Sequence, residues 1–562
     1  MDRANYLILT LVMIIFILTC AKQMPPPGGP VDTTPPEVMQ IVPNHGATNV
    51  STQAKIEVLF SEGMNRKVVE SAIFISPWPS EEIYFRWRRK KLKIEFGDTL
   101  KENRTYVLTI GAKSSDLRNN QMKESFSMAF STGEHIDEGQ ISGMVYSQSG
   151  VEGTLVCAYL LADNTDVDPT KVLADYYTQC NQQGKYGLMY MAPGNYRMFA
   201  IRDRDANRKY TPGIDALGVT TSDVNLTDDE KFIQSINFQL TVEDTIPPMI
   251  KSVYSIDQSH IIVRFNEALA DFNETTPQKY FKIVSENDPD TQLKILSCYS
   301  ISLEPSNVHL TTENQSAITY KLMAQNLFDQ SHNPLDTLYY SATFEGSSEQ
   351  DTLKPGIIFR SIQDSSTGIS LTPEIRFAFS ETIEQHSFES SFLLTEGDTN
   401  VVKGKFNWKN PSDVSYLPDS SLESLTWYKI HIEIDSIKDL SGNSLADSVN
   451  MIHFKTLNED TLSAIGGEII DEKEHASGRI FLTAKSERNS YQLVLDETGA
   501  YHFENILPGI YTINGFRDAD SNGVYTYGQA IPFIPAERFL FYPDSIKVRS
   551  RWPNEGNNII FK

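Results

Sequence analysis

The chain has 562 residues, 40% of them hydrophobic and 22% charged, and 73 acidic against 49 basic side chains leave a net charge of −24. That length exceeds what one hydrophobic core serves, and four cysteines in such a chain exclude a fold built on disulfides. The acidic balance excludes nucleic acid as a partner, because neutralising phosphates takes clustered Lys and Arg.

The first element is an apolar run from Tyr6 to Thr19 that ends at Cys20, with Arg3 and the α-amine as the only positive charges before it. It is shorter than the roughly 20 residues of a membrane-spanning helix, so residues 1–19 are expected to be a signal peptide. The ending Ile17-Leu18-Thr19-Cys20 resembles the bacterial lipobox, which makes Cys20 the expected lipidation site and new N-terminus; the alternative is a secreted chain in which Cys20 is incidental. Residues 20–34 then form a tether, because Met24-Pro25-Pro26-Pro27-Gly28-Gly29-Pro30 neither packs nor pairs and proline holds it extended.

Residues 35–134, 244–346 and 354–460 carry one pattern three times and are called repeats 1, 2 and 3 here. Each begins with a short strand of alternating apolar residues that ends in an acid: Ile56 to Glu62, Ile261 to Glu267 and Ile375 to Glu381. Alternation places Ile56, Val58 and Phe60 and their counterparts on one core-facing side and predicts a wet side opposite. A second strand opens with tyrosine in every copy, at Tyr106, Tyr320 and Tyr428. Leu100 and Leu422 stand six residues upstream in the first and third, a spacing that lets the tyrosine hydroxyl reach backbone at the corner of a Greek-key sandwich. Turns follow at Asp116 to Asn120, Asp329 to Asn333 and Asp439 to Asn443, and closing strands at Phe126 to Phe130, Tyr339 to Phe344 and Met451 to Phe454. Repeats 1 and 2 are introduced by the same joint, Asp32-Thr33-Thr34-Pro35-Pro36 and Asp244-Thr245-Ile246-Pro247-Pro248. Such short proline joints predict few contacts between modules and independent folding. The basic run Arg86 to Lys93 in repeat 1 reads as a solvated hairpin, with a patch for anionic lipid or glycan as the sharper alternative.

Two further segments, 139–240 and 463–562, duplicate one another and are called inserts 1 and 2. Gly184, Tyr186, Pro193, Gly194, Tyr196, Arg202, Asp203, Asp205, Asn207, Tyr210 and Gly213 recur at one constant spacing as Gly499, Tyr501, Pro508, Gly509, Tyr511, Arg517, Asp518, Asp520, Asn522, Tyr525 and Gly528. The glycines and the Pro-Gly pairs predict a hairpin turn, a strand, a second turn and a second strand. The loops Asp203, Asp205, Asn207 and Asp518, Asp520, Asn522 set oxygen-bearing side chains at alternate positions. They admit two readings: calcium ligands, or Asx-type turns in which Asp and Asn cap their own backbone. Gly523 completes half of an EF-hand loop in the second copy, but Ile214 and Gln529 stand where the bidentate glutamate belongs, so a complete EF-hand is excluded and a neighbour such as Asp215 would have to finish the site. Cys157 and Cys180 share insert 1 and either bridge adjacent strands or sit as buried thiols.

No nucleophile elbow, phosphate loop, dinucleotide fingerprint or zinc spacing occurs, and His431 and His453 read as partners on a wet sheet face. Trp78, Trp87, Trp408, Trp427 and Trp552 are dispersed and define no common face in the sequence.

The "F-S-E" and "D-x-x-G-N" lines of the repeats resemble the bacterial Ig-like domains first described in S-layer proteins, with repeat 3 the best fit and repeat 2 the furthest from it. The line Gly499 to Tyr511 is similar to prealbumin-like or carboxypeptidase-regulatory-like sandwiches, and the whole order resembles Ig-like lipoproteins of Bacteroidetes-type bacteria. The resemblance implies an all-β chain of tandem Ig-like and prealbumin-like β-sandwich modules with no enzymatic activity. The expected function is an envelope-anchored spacer and interaction scaffold at the outer membrane or cell surface, held to the membrane through its N-terminal lipid. Its partner is an unidentified protein or glycan, and calcium is the candidate cofactor. The alternative is a glycan-binding or adhesion accessory protein of a surface polysaccharide system, which an exposed aromatic cluster would favour.

Overall fold

The computed structural model describes residues 32–78, 82–161, 166–270, 272, 276–301, 303–473 and 477–561. Cys20, the expected signal peptide and the expected tether up to residue 31 lie outside the described residues.

The chain is all β, with helices confined to short pieces such as Arg66–Ser71 and Gln385–Ser391. Each repeat is a sandwich. In repeat 1 the strand Ile56–Phe60 lies in a four-stranded sheet between Val38–Val42 and Lys91–Phe96, with Ile83–Arg88 at the edge, while the tyrosine strand Thr105–Ile110 is central in a second sheet between Ile73–Ser76 and Phe126–Ser131. The alternation works as expected: Ile56, Val58 and Phe60 are fully buried and face Tyr106, Leu108 and Ile110 across one core. Repeats 2 and 3 repeat this arrangement around Ile261, Val263 and Phe265 and around Ile375, Phe377 and Phe379.

The tyrosine corner forms in all three copies. Lys101 N–H donates to the Tyr106 hydroxyl at 2.8 Å, Glu423 N–H to Tyr428 at 2.8 Å, and Ser316 N–H to Tyr320 at 3.1 Å. The basic run is the hairpin of Ile83–Arg88 and Lys91–Phe96, and part of its charge is paired with acids of the same sheet, Lys91 with Glu57 at 2.6 Å and Arg86 with Glu95 at 2.8 Å, while Arg88 and Arg89 are exposed. Trp87 and Trp408 occupy matching positions and donate to helix acids, Glu70 at 2.7 Å and Glu389 at 2.9 Å. His453 sits beside Asp364 at 3.1 Å on a wet face.

In the inserts, Gly184 (φ +82°) and Gly499 (φ +136°) take the left-handed side of backbone space that the hairpin turns require. The strands Lys185–Met191 and Gly194–Arg202, and Gly499–Ile506 and Gly509–Asp518, flank the Pro-Gly turns and belong to opposite sheets of each sandwich.

The expectation of few contacts between modules is corrected by the structure. In insert 1 the larger sheet is apolar on both faces. Val156, Ala158, Met198 and Ala200 enter the sandwich core, while Leu155, Cys157, Tyr159, Phe199, Ile201, Leu217 and Val219 point outward and are equally buried. A sheet with two apolar faces must be covered twice. Repeat 1 supplies Phe74 and Trp78, and insert 2 supplies Ala530, Phe533 and Ala536. Arg208 spans Phe74 and Trp78, Arg197 lies 3.7 Å over the Phe533 ring, and Ala536 N–H donates to Thr220 O at 3.1 Å. Insert 2 thus returns to insert 1, and the five modules do not run as separate beads. The wet side expected in repeat 2 is covered in part: His260, Tyr299 and His309 are buried on the outer face of its first sheet, where Asn410 of repeat 3 donates to Ser300 O at 3.0 Å, while Tyr254 and Arg264 on that face stay exposed.

Cys157 and Cys180 are free and buried. They enter different cores, Cys157 the one shared by three modules and Cys180 that of the sandwich itself, so the disulfide alternative is not realised. Burial pushes the Cys157 thiol up to about 12, and the Cys180 thiol donates to Val151 O at 2.8 Å.

Candidate cation sites at the module ends

The turn Asp-x-x-x-Asn is built identically three times. Asp116 Oδ1 accepts from the N–H groups of Arg118 and Asn120, both at 2.8 Å, and its Oδ2 from Asn120 Nδ2 at 2.9 Å. Asp329 and Asp439 do the same for Ser331 and Asn333 and for Ser441 and Asn443. The amide of each Asn then reaches back to the joint that opens its own repeat: Asn120 to Asp32 O at 3.0 Å, Asn333 to Asp244 O at 2.8 Å and Asn443 to Asp351 O at 3.3 Å. This clamp brings the joint's carboxylate beside the turn's, and the acid that ends the first core strand completes a triad. Asp32, Glu62 and Asp116; Asp244, Glu267 and Asp329; and Asp351, Glu381 and Asp439 each gather carboxylate oxygens within 4.8 Å of one another.

The electrostatic consequence is visible in the glutamates. Burial, with the two neighbouring carboxylates adding to it, holds Glu62 and Glu267 above the usual range, and pushes Glu381 up to about 7. These three glutamates read in the sequence as parts of strand ends, and nothing in a single copy sets them beside a joint residue 23 to 30 positions upstream. The threefold recurrence of Asp-Thr, Glu and Asp in fixed order was the available signal.

The inserts hold the acids that the sequence singled out. Asp203 and Asp205 converge with Asp215, and Asp518 and Asp520 with Glu537, again within 4.8 Å. The Asx turn is present as well. Asn207 N–H donates to both Asp203 Oδ1 and Asp205 Oδ1 at 3.2 Å, and Asn522 N–H donates to Asp518 Oδ1 at 3.1 Å and Asp520 Oδ1 at 3.0 Å. Asn207 and Asn522 aim their amide nitrogens at Asp205 and Asp520, so they brace the turn and leave the third carboxylate to come from elsewhere. In insert 1 that is Asp215, fully buried, accepting from Arg204 and Thr211 N–H at 2.8 Å. In insert 2 it is Glu537, accepting from Ala519 N–H at 2.6 Å and Thr526 N–H at 3.0 Å. The two insertions place equivalent carboxylates from non-equivalent positions, which is why the duplication did not reveal Glu537. Burial is the main cause holding Asp203 and Glu537 above the carboxylate range. Chemically, five clusters of hard oxygen donors under like-charge strain suit a hard divalent cation.

Insert 2 also carries a partly exposed aromatic row on its outer sheet face. Phe481 and Phe516 stack at 5.0 Å across adjacent strands, Phe539 follows in register, and Phe541 is exposed beside it. Trp427, on the strand Trp427–Ile432, and Trp552, in an isolated bridge with Arg549, are also exposed and are not part of this row.

Residues 32–132 and 351–456 match the family described as bacterial Ig-like domain, covering repeats 1 and 3 together with their joint aspartates. No curated protein matches the chain. Among solved structures, the N-terminal part of the bacterial S-layer protein SbsC is 12% identical over 38% of this chain and 45% of that one, with a TM-score of 0.17. The S-layer protein rSbsC(31-844) is 9% identical over 92% and 67%, with a TM-score of 0.16. L,D-transpeptidase 1 of Mycobacterium tuberculosis is 12% identical over 34% and 90%, with a TM-score of 0.18. This chain therefore spans less than half of the first of these structures, and at such scores none of them carries a functional inference.

Proposed function

We propose that the chain is a non-enzymatic scaffold of the bacterial cell surface, held to a membrane through lipidated Cys20 and stiffened at its module ends by calcium. The observation that carries this reading is the recurrence of one carboxylate triad per module, three of them on the joints themselves. Charges crowded in this way destabilise a joint unless a cation neutralises them, and a spacer gains rigidity from such neutralisation. The match of two repeats to a bacterial Ig-like domain supports a surface role.

Two measurements test it. Replacement of Cys20 by Ser should move the chain from the membrane pellet to the soluble fraction, since stable anchoring needs acyl chains; retention in the pellet overturns the anchor. Calcium titrated into the full chain should give saturable heat and raise its melting temperature, with both responses reduced in a variant carrying Asp518→Asn and Asp520→Asn. No heat and no shift at millimolar calcium would leave the turns as self-capped structure.

The aromatic row on insert 2 favours glycan binding as a second reading, because stacked rings offer a face to sugars. Retention of surface polysaccharide by the chain, lost on Phe481→Ala with Phe541→Ala, would support it.

A further inference from the structure

Where insert 2 returns to insert 1 the two modules leave a cleft of about 1100 Å³ between them. One wall is the outer face of the strand Gly139–Tyr146 with Lys185 and the segment 234–237 of insert 1. The other wall is residues 538–543 and 558–560 of insert 2.

The second wall contains an open sheet edge. Strand Ile559–Phe561 is last in the order Gly499–Ile506, Ser463–Asp471, Ile559–Phe561, and among the described residues it pairs in parallel on one side only. Glu472 N–H donates to Phe561 O at 2.9 Å, so Phe561 turns its backbone groups toward its partner strand. Backbone direction alternates along a strand, and Ile560 and Asn558 therefore present their N–H and C=O groups to the cleft. Natural edges are usually guarded by charge, proline or a bulge. Here the edge carries an apolar pair in register, Ile560 at 45% exposure against Ile470 at 42%. Phe541, exposed and with its ring centroid 4.5 Å from that of Tyr146, lines the cleft from the other sheet of the sandwich.

The charge of the cleft is the reverse of the chain's. Lys185, Lys473 and Arg538 line it against Glu472, in a chain whose net charge is −24. Arg538 is engaged with Asp471 at 2.7 Å, which leaves the exposed lysines to meet an occupant.

We propose that this cleft binds an extended acidic peptide segment of a partner protein, which adds as a strand to Ile559–Phe561. Main-chain pairing with Asn558 and Ile560 supplies the affinity, alternate apolar side chains cover Ile470 and Ile560, and acidic residues between them meet Lys185 and Lys473. A sugar offers no row of alternating N–H and C=O groups to such an edge, which is why a peptide is the occupant the geometry selects. The assignment rests on the scaffold reading only in naming that scaffold's partner class, and peptide binding and membrane fractionation fail independently of each other.

The test uses the full chain and a fluorescent ten-residue peptide with valine alternating with aspartate or glutamate. The expected result is saturable binding with new hydrogen-exchange protection at the Ile560 amide, weakened at least about tenfold by Lys185→Glu with Lys473→Glu. A control peptide with proline at two central positions should not bind, because proline cannot donate to the ladder; this control leaves the protein itself unaltered. Absence of saturable binding, equal binding of the proline peptide, displacement by a polyuronate without loss of the Ile560 amide's exchange, or occupation of the edge by a second copy of the chain would each overturn the proposal.

Discussion

Replacing Asp471 by Asn should unlock the terminal strand of insert 2. Its carboxylate is the shared partner of two guanidinium groups, Arg517 at 2.9 Å and Arg538 at 2.7 Å, and the three side chains are 6%, 7% and 12% exposed. Both guanidinium groups also lie over the Phe561 ring, at 5.9 and 5.7 Å, so the charged cluster and the last strand are held as one unit. Removing one partner of a buried pair costs about 3–5 kcal/mol, because the remaining charges stay buried. For a module of this size that lowers the melting transition by more than about 10 °C. Calorimetry of the full chain measures the shift, and hydrogen exchange over 559–561 assigns it to insert 2. The pH dependence supplies a second check. Burial raises the Asp471 pKa, but the Lys473 amide, Arg538 and Arg517 outweigh it and hold the carboxyl below its usual range. A lowered carboxyl pKa gives stability that is present above the unfolded value near 3.9 and lost as pH falls. The wild type should therefore approach the variant below about pH 4. A shift under about 3 °C at pH 7, or a gap that persists unchanged into acid, would refute the reasoning.

Three other outcomes follow from the geometry. Glu381, pushed up to about 7 from 4.5 by burial and by Asp351, Asp439 and Asp257, binds a proton more tightly folded than unfolded, so without calcium the stability of repeat 3 should fall as pH rises through that window. Glu381→Gln should flatten the slope and raise the melting temperature at pH 8, and an unchanged slope would show that the carboxylates are not crowded. Burial, with the His260 charge adding to it, pushes His309 down to about 4 from 6.5, so repeat 2 should lose stability as pH falls through that range; His309→Phe should remove this loss in thermal melts taken from pH 7 to pH 4. Tyr428→Phe leaves the Glu423 N–H without its acceptor and should cost about 1–2 kcal/mol in urea unfolding, with no cost at all refuting a role for the corner.

Much of the fold was legible because alternation and register act locally. Ile56, Val58 and Phe60 announce a half-buried strand whatever surrounds them, and Tyr428 with Leu422 announces a corner, since both signals lie within one element or one turn. The sites divide the same way. Asp203, Asp205, Asp518 and Asp520 were readable because they share a loop, while Glu62, Glu381 and Glu537 join their clusters across the fold. The contact between inserts escaped for a different reason. The runs Leu155 to Leu160 and Met198 to Ile201 are apolar at successive positions, the mark of a sheet buried on both faces. That mark says a cover exists without saying which distant segment supplies it, and Phe533 is more than 300 residues away.

The twice-covered sheet of insert 1 also sets a schedule for synthesis. Its own sandwich is complete once residue 242 has emerged, and Phe74 from repeat 1 is already in place, but Ala530, Phe533 and Ala536 have yet to be made. At roughly 5–20 residues per second, about 300 further residues take on the order of 15–60 s. Throughout that interval Phe199, Leu217 and Tyr210 stand uncovered, on a nascent chain whose own elongation must first build repeats 2 and 3. A holding chaperone, or translocation paced to synthesis, is what such an exposed interval calls for, and chains truncated before residue 530 should aggregate where the complete chain does not.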